Sequence, residues 1–176
     1  WVNDGWTLSS TECYSATSPT YNAEGTLDGN SGTYYHSNGN QASGSSAISS
    51  LTYEFGKTQC IKGLRIDNYE NHYGPVTIKV RRNGSWHTVV SGWDYAVVGA
   101  GSYDEKLFSE TRGDAVQLLW LSGASGGYNY IVVREVRFYL ADLSGGGVIT
   151  TTTGGPGGGS GCSGTNFSWG SPVGAV

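Results

Sequence analysis

The sequence predicts an all-β chain, a jelly-roll β-sandwich of about eight mainly antiparallel strands with a Gly/Thr-rich C-terminal tail. Three observations lead there. Apolar residues recur with period two along most of the chain. No segment carries an apolar stripe at the helical period of 3.6. Glycine-rich turn signals separate the alternating segments, the pattern of a two-sheet sandwich or jelly roll.

Leu51, Tyr53 and Phe55 share one face, with Thr52 and Glu54 between them. Leu64 and Ile66 alternate with Arg65 and Asp67. Val76, Ile78 and Val80 alternate with Thr77, Lys79 and Arg81 and run into Asn83-Gly84, a strong hairpin signal because a type I′ turn needs φ > 0 at both central residues. Val116, Leu118 and Trp120 alternate with Gln117, Leu119 and Leu121, which predicts a strand buried on both faces. Val132, Val136, Phe138 and Leu140 are placed on one face, with Arg134 as the exception.

The chain of 176 residues holds one domain of ordinary size and a tail. Aromatic residues make up 12%, enough for a core built on Tyr and Trp. Charged residues are only 14% and the net charge is −4, with no basic patch, so nucleic acid is not an expected partner. No apolar run approaches a membrane span. The start at Trp1, without a signal-peptide pattern, reads as a mature chain or a piece of a longer one.

Composition divides the chain into a sandwich at 1–143, a Gly/Thr-rich linker at 144–161 and a docking segment at 162–176, where Phe167, Trp169, Pro172 and Val173 restore apolar character. Ordering a glycine-rich segment is entropically costly, so something must hold it, its own domain or a neighbouring molecule. The expectation is a neighbouring copy: the β-branched run at 148–153 suits an extended strand added to an open sheet edge, with Phe167 and Trp169 as anchors. Three cysteines, Cys13, Cys60 and Cys162, suggest one internal disulfide in a secreted chain. Cys13–Cys60 is the expected pair, since both lie in or beside predicted strands. The competing pairs join Cys162 to either.

Residues 25–37, GTLDGNSGTYYHS, set Asp28, Asn30 and Thr33 in one short loop, hard oxygen donors suited to Ca²⁺. This loop, the segment LTYEFGKTQCIKGLRI and the closing REVRFY, in that order, resemble the discoidin-like family over about residues 6–139. That family includes the factor V/VIII type C domains and galactose-binding-like carbohydrate modules. Tyr35 stands where the family commonly has Trp, and Glu135-Val136 matches its closing Glu pair.

The resemblance implies a structural Ca²⁺ beneath the loop. Its ligands would be the Asp28 carboxylate, the Asn30 main chain, the Thr33 hydroxyl and main chain, the carbonyls of Gly25 and Arg134, and the Glu135 carboxylate. A cation joining positions so far apart in sequence stabilises the folded chain over the unfolded one. The resemblance also implies sugar contacts from loops at one end of the sandwich. Here these are His36, Asn68, Tyr69, Asn71, His72 and Tyr73, with Tyr128, Asn129 and Tyr130 nearby. The Arg that the sugar binders carry just after the strand ending at Ile66 is replaced by Asp67-Asn68. The membrane-binding branch uses protruding apolar spikes. These loops hold Tyr but no Leu, Met or Phe cluster, so membrane binding is not expected.

Nothing in the sequence supports catalysis. His36, His72 and His87 show no metal-ligand spacing, and there is no nucleophile elbow. Two sequons begin at Asn83 and Asn166, and Thr150, Thr151, Thr152 and Thr153 form a candidate O-glycan cluster, with occupancy expected more at Asn166 and the threonines. The reading is therefore a non-catalytic extracellular module, a structural subunit of a glycoprotein fibre or matrix joined through its tail. The alternative is a calcium-supported carbohydrate-recognition module of a larger secreted protein. Other copies of the chain, or glycans, are the expected partners.

Overall fold

The computed structural model describes residues 6–11, 13, 14, 18, 20–37, 49–68, 74–95, 101–120, 130–141, 162 and 167–169. Among them are eight strands: β1 (Thr7–Thr11), β2 (Tyr35–His36), β3 (Ser49–Asn68), β4 (Val76–Arg82), β5 (Ser85–Trp93), β6 (Asp104–Trp120), β7 (Val132–Ala141) and β8 (Phe167–Trp169). A single 3-10 turn covers Glu24–Thr26. Every strand pairing is antiparallel.

Two long strands make both layers. The first part of β3 pairs with β1, its second part with β7, and β6 runs along the opposite edge of both. Between the parts the register slips from Glu54 to Gln59, and Gly56, Lys57 and Thr58 are exposed. A bulge of this kind bends a strand and lets one chain cross from one layer to the other. The layers then face each other. Phe138, opposite Leu64 in register, meets Tyr53 and Phe55 of the first part at ring centroid distances of 4.9 and 5.4 Å. Trp6 closes this end at 4.5 Å from Phe55.

The period-two reading is met in β3 and β4, where Leu51, Tyr53, Phe55, Val76, Ile78 and Val80 are all buried in one core. The Asn83-Gly84 turn forms with φ of 49° and 76°, and Arg82 pairs with Ser85 across it. In β6 the core face is Val116, Leu118 and Trp120, while Gln117 and Leu119 are only half-buried. The expectation of a strand buried on both faces is thus corrected at Leu119; Leu121 lies outside the described residues.

A second correction concerns β7. Asp67 faces Glu135 but Asn68 faces Val133, so Arg134 is the extra residue of a bulge. The bulge reverses the alternation. Ile131 and Val133 join the core before it, and Val136, Phe138 and Leu140 after it. Val133, not Val132, therefore shares the core with Val136.

The cysteine pairing is also corrected. Cys60 is bonded to Cys162, with a Cα–Cα distance of 6.1 Å, and not to Cys13. The reason is register: Cys60 faces Ala141 on β7, and Ala141 faces Phe167 on β8, so the returning tail reaches this edge. Cys13 is held elsewhere, bridged to Ser37 with its thiol donating to the Tyr21 carbonyl at 2.8 Å. The same geometry gives Phe167 and Trp169 a place within the chain, and docking on a neighbouring copy is not shown. They lie on the chain's own β7, where Trp169 stacks on Tyr139 at 4.7 Å beneath the Arg65 guanidinium at 3.8 Å. The 148–153 run, with Thr150, Thr151, Thr152 and Thr153, lies outside the described residues, as does Asn166.

Candidate functional site

Three adjacent strands end at the same level. His36 on β2 faces Val132 on β7, and Asn68 on β3 faces Val133. The His36 backbone is pinned on both sides: its carbonyl accepts from the Tyr14 N–H at 2.8 Å, and the next N–H, of Ser37, donates to the Ile131 carbonyl at 2.9 Å. The imidazole Nδ1 lies 2.7 Å from the Ser37 carbonyl, which assigns the proton to Nδ1 and leaves Nε2 as an acceptor.

Aromatic rings surround this imidazole. Tyr130 stacks on it at 4.5 Å and 20°, Tyr14 is tilted at 5.0 Å, and Tyr21 stands edge-on at 6.1 Å. Tyr34 extends the group through Tyr21 at 5.1 Å. Tyr14 is 62% exposed, so the cluster reaches solvent and is not a sealed part of the core. Aromatic rings with hydroxyls at their edges, beside a fixed acceptor nitrogen, can stack on an apolar face and hydrogen-bond its polar rim.

Below this surface lies a buried ion pair. Arg134 Nε donates to Asp67 Oδ1 at 3.2 Å, and its Nη2 donates to the Asn68 carbonyl at 2.7 Å. Asp67 Oδ2 accepts from the Gly101 N–H at 2.9 Å. Side-chain exposure is 9% for Arg134 and 0% for Asp67. Burial pushes the Asp67 carboxyl above its ordinary range, while the Gly101 N–H and Arg134 pull against it. The network fixes Asn68 at the strand end. The sequence reading missed it, although Asp67 and Arg134 each break an apolar pattern with opposite charges. Of the other expected sugar contacts, Tyr69, Asn71, His72 and Tyr73 lie outside the described residues.

The oxygen-rich loop closes on itself just before β2. Asp28 accepts from the Asn30 N–H at 2.8 Å and from the Thr33 hydroxyl at 2.6 Å, and that hydroxyl lies 2.8 Å from the Asn30 carbonyl. Gly25 packs directly on the loop's end: a Cβ there would stand 2.9 Å from Tyr34 N and 3.1 Å from Thr33 Cβ. Glu135 on β7 is 3% exposed, and among the described residues neither carboxylate oxygen has a hydrogen-bond partner of good geometry. Its carboxyl is pushed up to about 7, first by burial and then by the Asp28 charge, while the Gly29 N–H lowers it in part. Gly25, Asp28, Asn30, Thr33 and Glu135 are thus brought together. Arg134 follows on the same strand, with its side chain committed to Asp67. A buried, unpartnered carboxylate beside a second carboxylate and a set of carbonyl oxygens suits a hard divalent cation. Among the described residues no three His, Cys, Asp or Glu side chains cluster as metal ligands, so main-chain oxygens would have to complete the shell.

A sequence model of the F5/8 type C domain matches residues 7–144. The chain belongs to that family. Known structures with the same fold include a family 32 carbohydrate-binding module of Clostridium perfringens NanJ in complex with galactose, 20% identical, with a TM-score of 0.61 over 76% of this chain and 93% of that one. Another C. perfringens module, solved with GalNAc-β-1,3-galactose, is 20% identical, with a TM-score of 0.60 over 75% of this chain and 93% of that one. A pectin-binding carbohydrate-binding module is 16% identical, with a TM-score of 0.60 over 75% and 88%. No curated protein matches the chain in sequence. Among the described residues of this F5/8 type C domain, no helix is long and apolar enough to cross a membrane.

Proposed function

We propose that this F5/8 type C domain is a non-catalytic carbohydrate-recognition module of a larger secreted or cell-surface protein, with its sugar surface at the strand ends around His36, Asn68 and Tyr130. The observation that carries this is the exposed aromatic cluster about a pinned imidazole whose Nε2 is free to accept from a sugar hydroxyl. Family 32 modules solved with galactose-containing ligands support the class of ligand. A Ca²⁺ held by Asp28, Thr33, Glu135 and main-chain oxygens of Gly25, Asn30 and Arg134 would supply structural charge, fixing the loop that leads into β2. Nothing supports the fibre reading in the same way, and its two aromatic anchors, Phe167 and Trp169, pair with the chain's own β7.

Glycan-array screening followed by calorimetry tests the sugar surface. His36→Ala and Tyr130→Ala are each expected to weaken the best neutral galactose-containing ligand by at least about tenfold, the scale of one lost hydrogen bond to a buried group or one lost stacking contact. Unchanged affinity in both variants would remove the site from this end of the sandwich.

A further inference from the structure

A second concave surface lies several residues along β3 from Asn68, where the β4–β5 hairpin, β6 and the β3 corner converge. The cavity, about 370 Å³, is lined by Arg81, Arg82 and Arg112 together with Thr58, Asn83 and Asp114. Three of the ten Lys and Arg residues of a chain with net charge −4 meet there. Arg81 is already committed: its Nε donates to Asp114 and its Nη1 to Glu54, both at 2.8 Å. Asp114 is thereby occupied and Arg81 becomes a fixed wall. Among the described residues Arg82 and Arg112 make no ion pair, and each Nε is shielded from water without an acceptor.

At Gly113, which also lines the cavity, β6 approaches β4 closely. A Cβ there would stand 2.2 Å from Val80 Cγ1 and 2.7 Å from the Arg81 carbonyl, so β6 runs close against β4 with no side chain between them. Trp86, the cross-strand partner of the lining residue Arg81, is 37% exposed, with the Arg81 guanidinium 5.7 Å from its ring centroid on one face. Two uncommitted guanidinium groups match the planar or tetrahedral oxygens of a carboxylate or sulfate, and an exposed indole matches the apolar face of a sugar ring.

We propose that this cavity binds the carboxylate or sulfate group of an acidic saccharide, through Arg82 and Arg112, with the sugar ring resting on Trp86. The site is independent of the His36 surface. Asn83 lines the cavity and begins a sequon, so the full chain should be made without N-glycosylation.

Calorimetric titration at low salt with trigalacturonate, galactose 6-sulfate, inorganic sulfate and galactose tests it. At least one acidic saccharide is expected to bind, at least tenfold more weakly to Arg82→Gln/Arg112→Gln, while neutral galactose binds that variant and the unmutated chain equally. Trp86→Ala should weaken the saccharide but not inorganic sulfate. Chemical shifts of the Arg82 and Arg112 Nε–H groups in the unmutated chain should move with the acidic sugar, which gives a readout independent of any variant's folding. Binding of inorganic sulfate alone, no binding of either acidic saccharide, or equal binding by the double variant would each overturn the proposal.

Discussion

Glu135 links pH to stability, and carries the test of the proposed cation. Its carboxyl sits near 7 in the folded chain against 4.5 when unfolded, raised by burial and by Asp28, with Arg137 and Asp67 also facing it. Between these two values the folded state binds more protons than the unfolded state. Stability of the metal-stripped chain therefore falls as pH rises from about 4.5 to about 7, by on the order of 3 kcal/mol if the shift is fully expressed. Thermal melts in chelator across pH 4.5–7.5 should show this slope, and Glu135→Gln should flatten it. Added Ca²⁺ should raise the melting temperature most at the upper end of that range, where the carboxylate is ionised. A chelator-insensitive melt at pH 7.5 would remove the cation from this loop. The Arg134–Asp67 pair makes a different prediction. Removing one partner strands a buried charge, so Arg134→Met should cost about 3–5 kcal/mol in denaturant unfolding. Arg134→Met/Asp67→Leu should recover much of that loss.

At the level of elements, the unexpected feature is the short strand β8. Three residues cannot hold an edge by hydrogen bonds alone. It is held by stacking of Trp169 on Tyr139, by Arg65 above the indole, and by the Cys60–Cys162 bond at the head of the segment. That bond closes a loop of 102 residues, and losing a native disulfide of this kind typically costs about 2–5 kcal/mol. Cys162→Ser is expected to lower stability within that range and to speed amide exchange at Phe167–Trp169 while β3 and β6 stay protected. Equal protection of β8 in the variant would mean that packing alone secures it. The pairing was not legible in the sequence, because placing Cys13 and Cys60 in or beside strands does not say which thiols meet across the sheet. Only the register Cys60–Ala141–Phe167 singles out Cys162. By contrast, β3, β4 and the Asn83-Gly84 turn could be read directly, since their alternation and turn chemistry are local. The bulge at Arg134 could not: it inserts one residue and flips the faces, a change that period-two counting carries past without a mark.

For the whole molecule, the sandwich follows from local pattern plus one non-local device, the corner in β3 that sends its two parts to opposite layers. The candidate sugar surface is further from the sequence. His36 and Asn68 are chain-distant residues placed level by β7, and the Tyr14–Tyr21–His36–Tyr130 group comes from three separate segments. Their residue types were visible, but their meeting depended on pairing. The tail bears on assembly in the same way. A segment that docks on a neighbour generates a ring or filament, whereas Phe167–Trp169 pair with the chain's own β7. The full chain is therefore expected to be a monomer at micromolar concentration, measured by light scattering after size exclusion. Deleting residues 142–176 exposes the outer edge of β7 along Tyr139, Leu140 and Ala141 and leaves Cys60 without its partner. An open edge with half-buried aromatics recruits other strands. The truncated chain, rather than the full one, should then self-associate. A full chain that runs as a multimer, and a truncated one that does not, would return the tail to the role of connector.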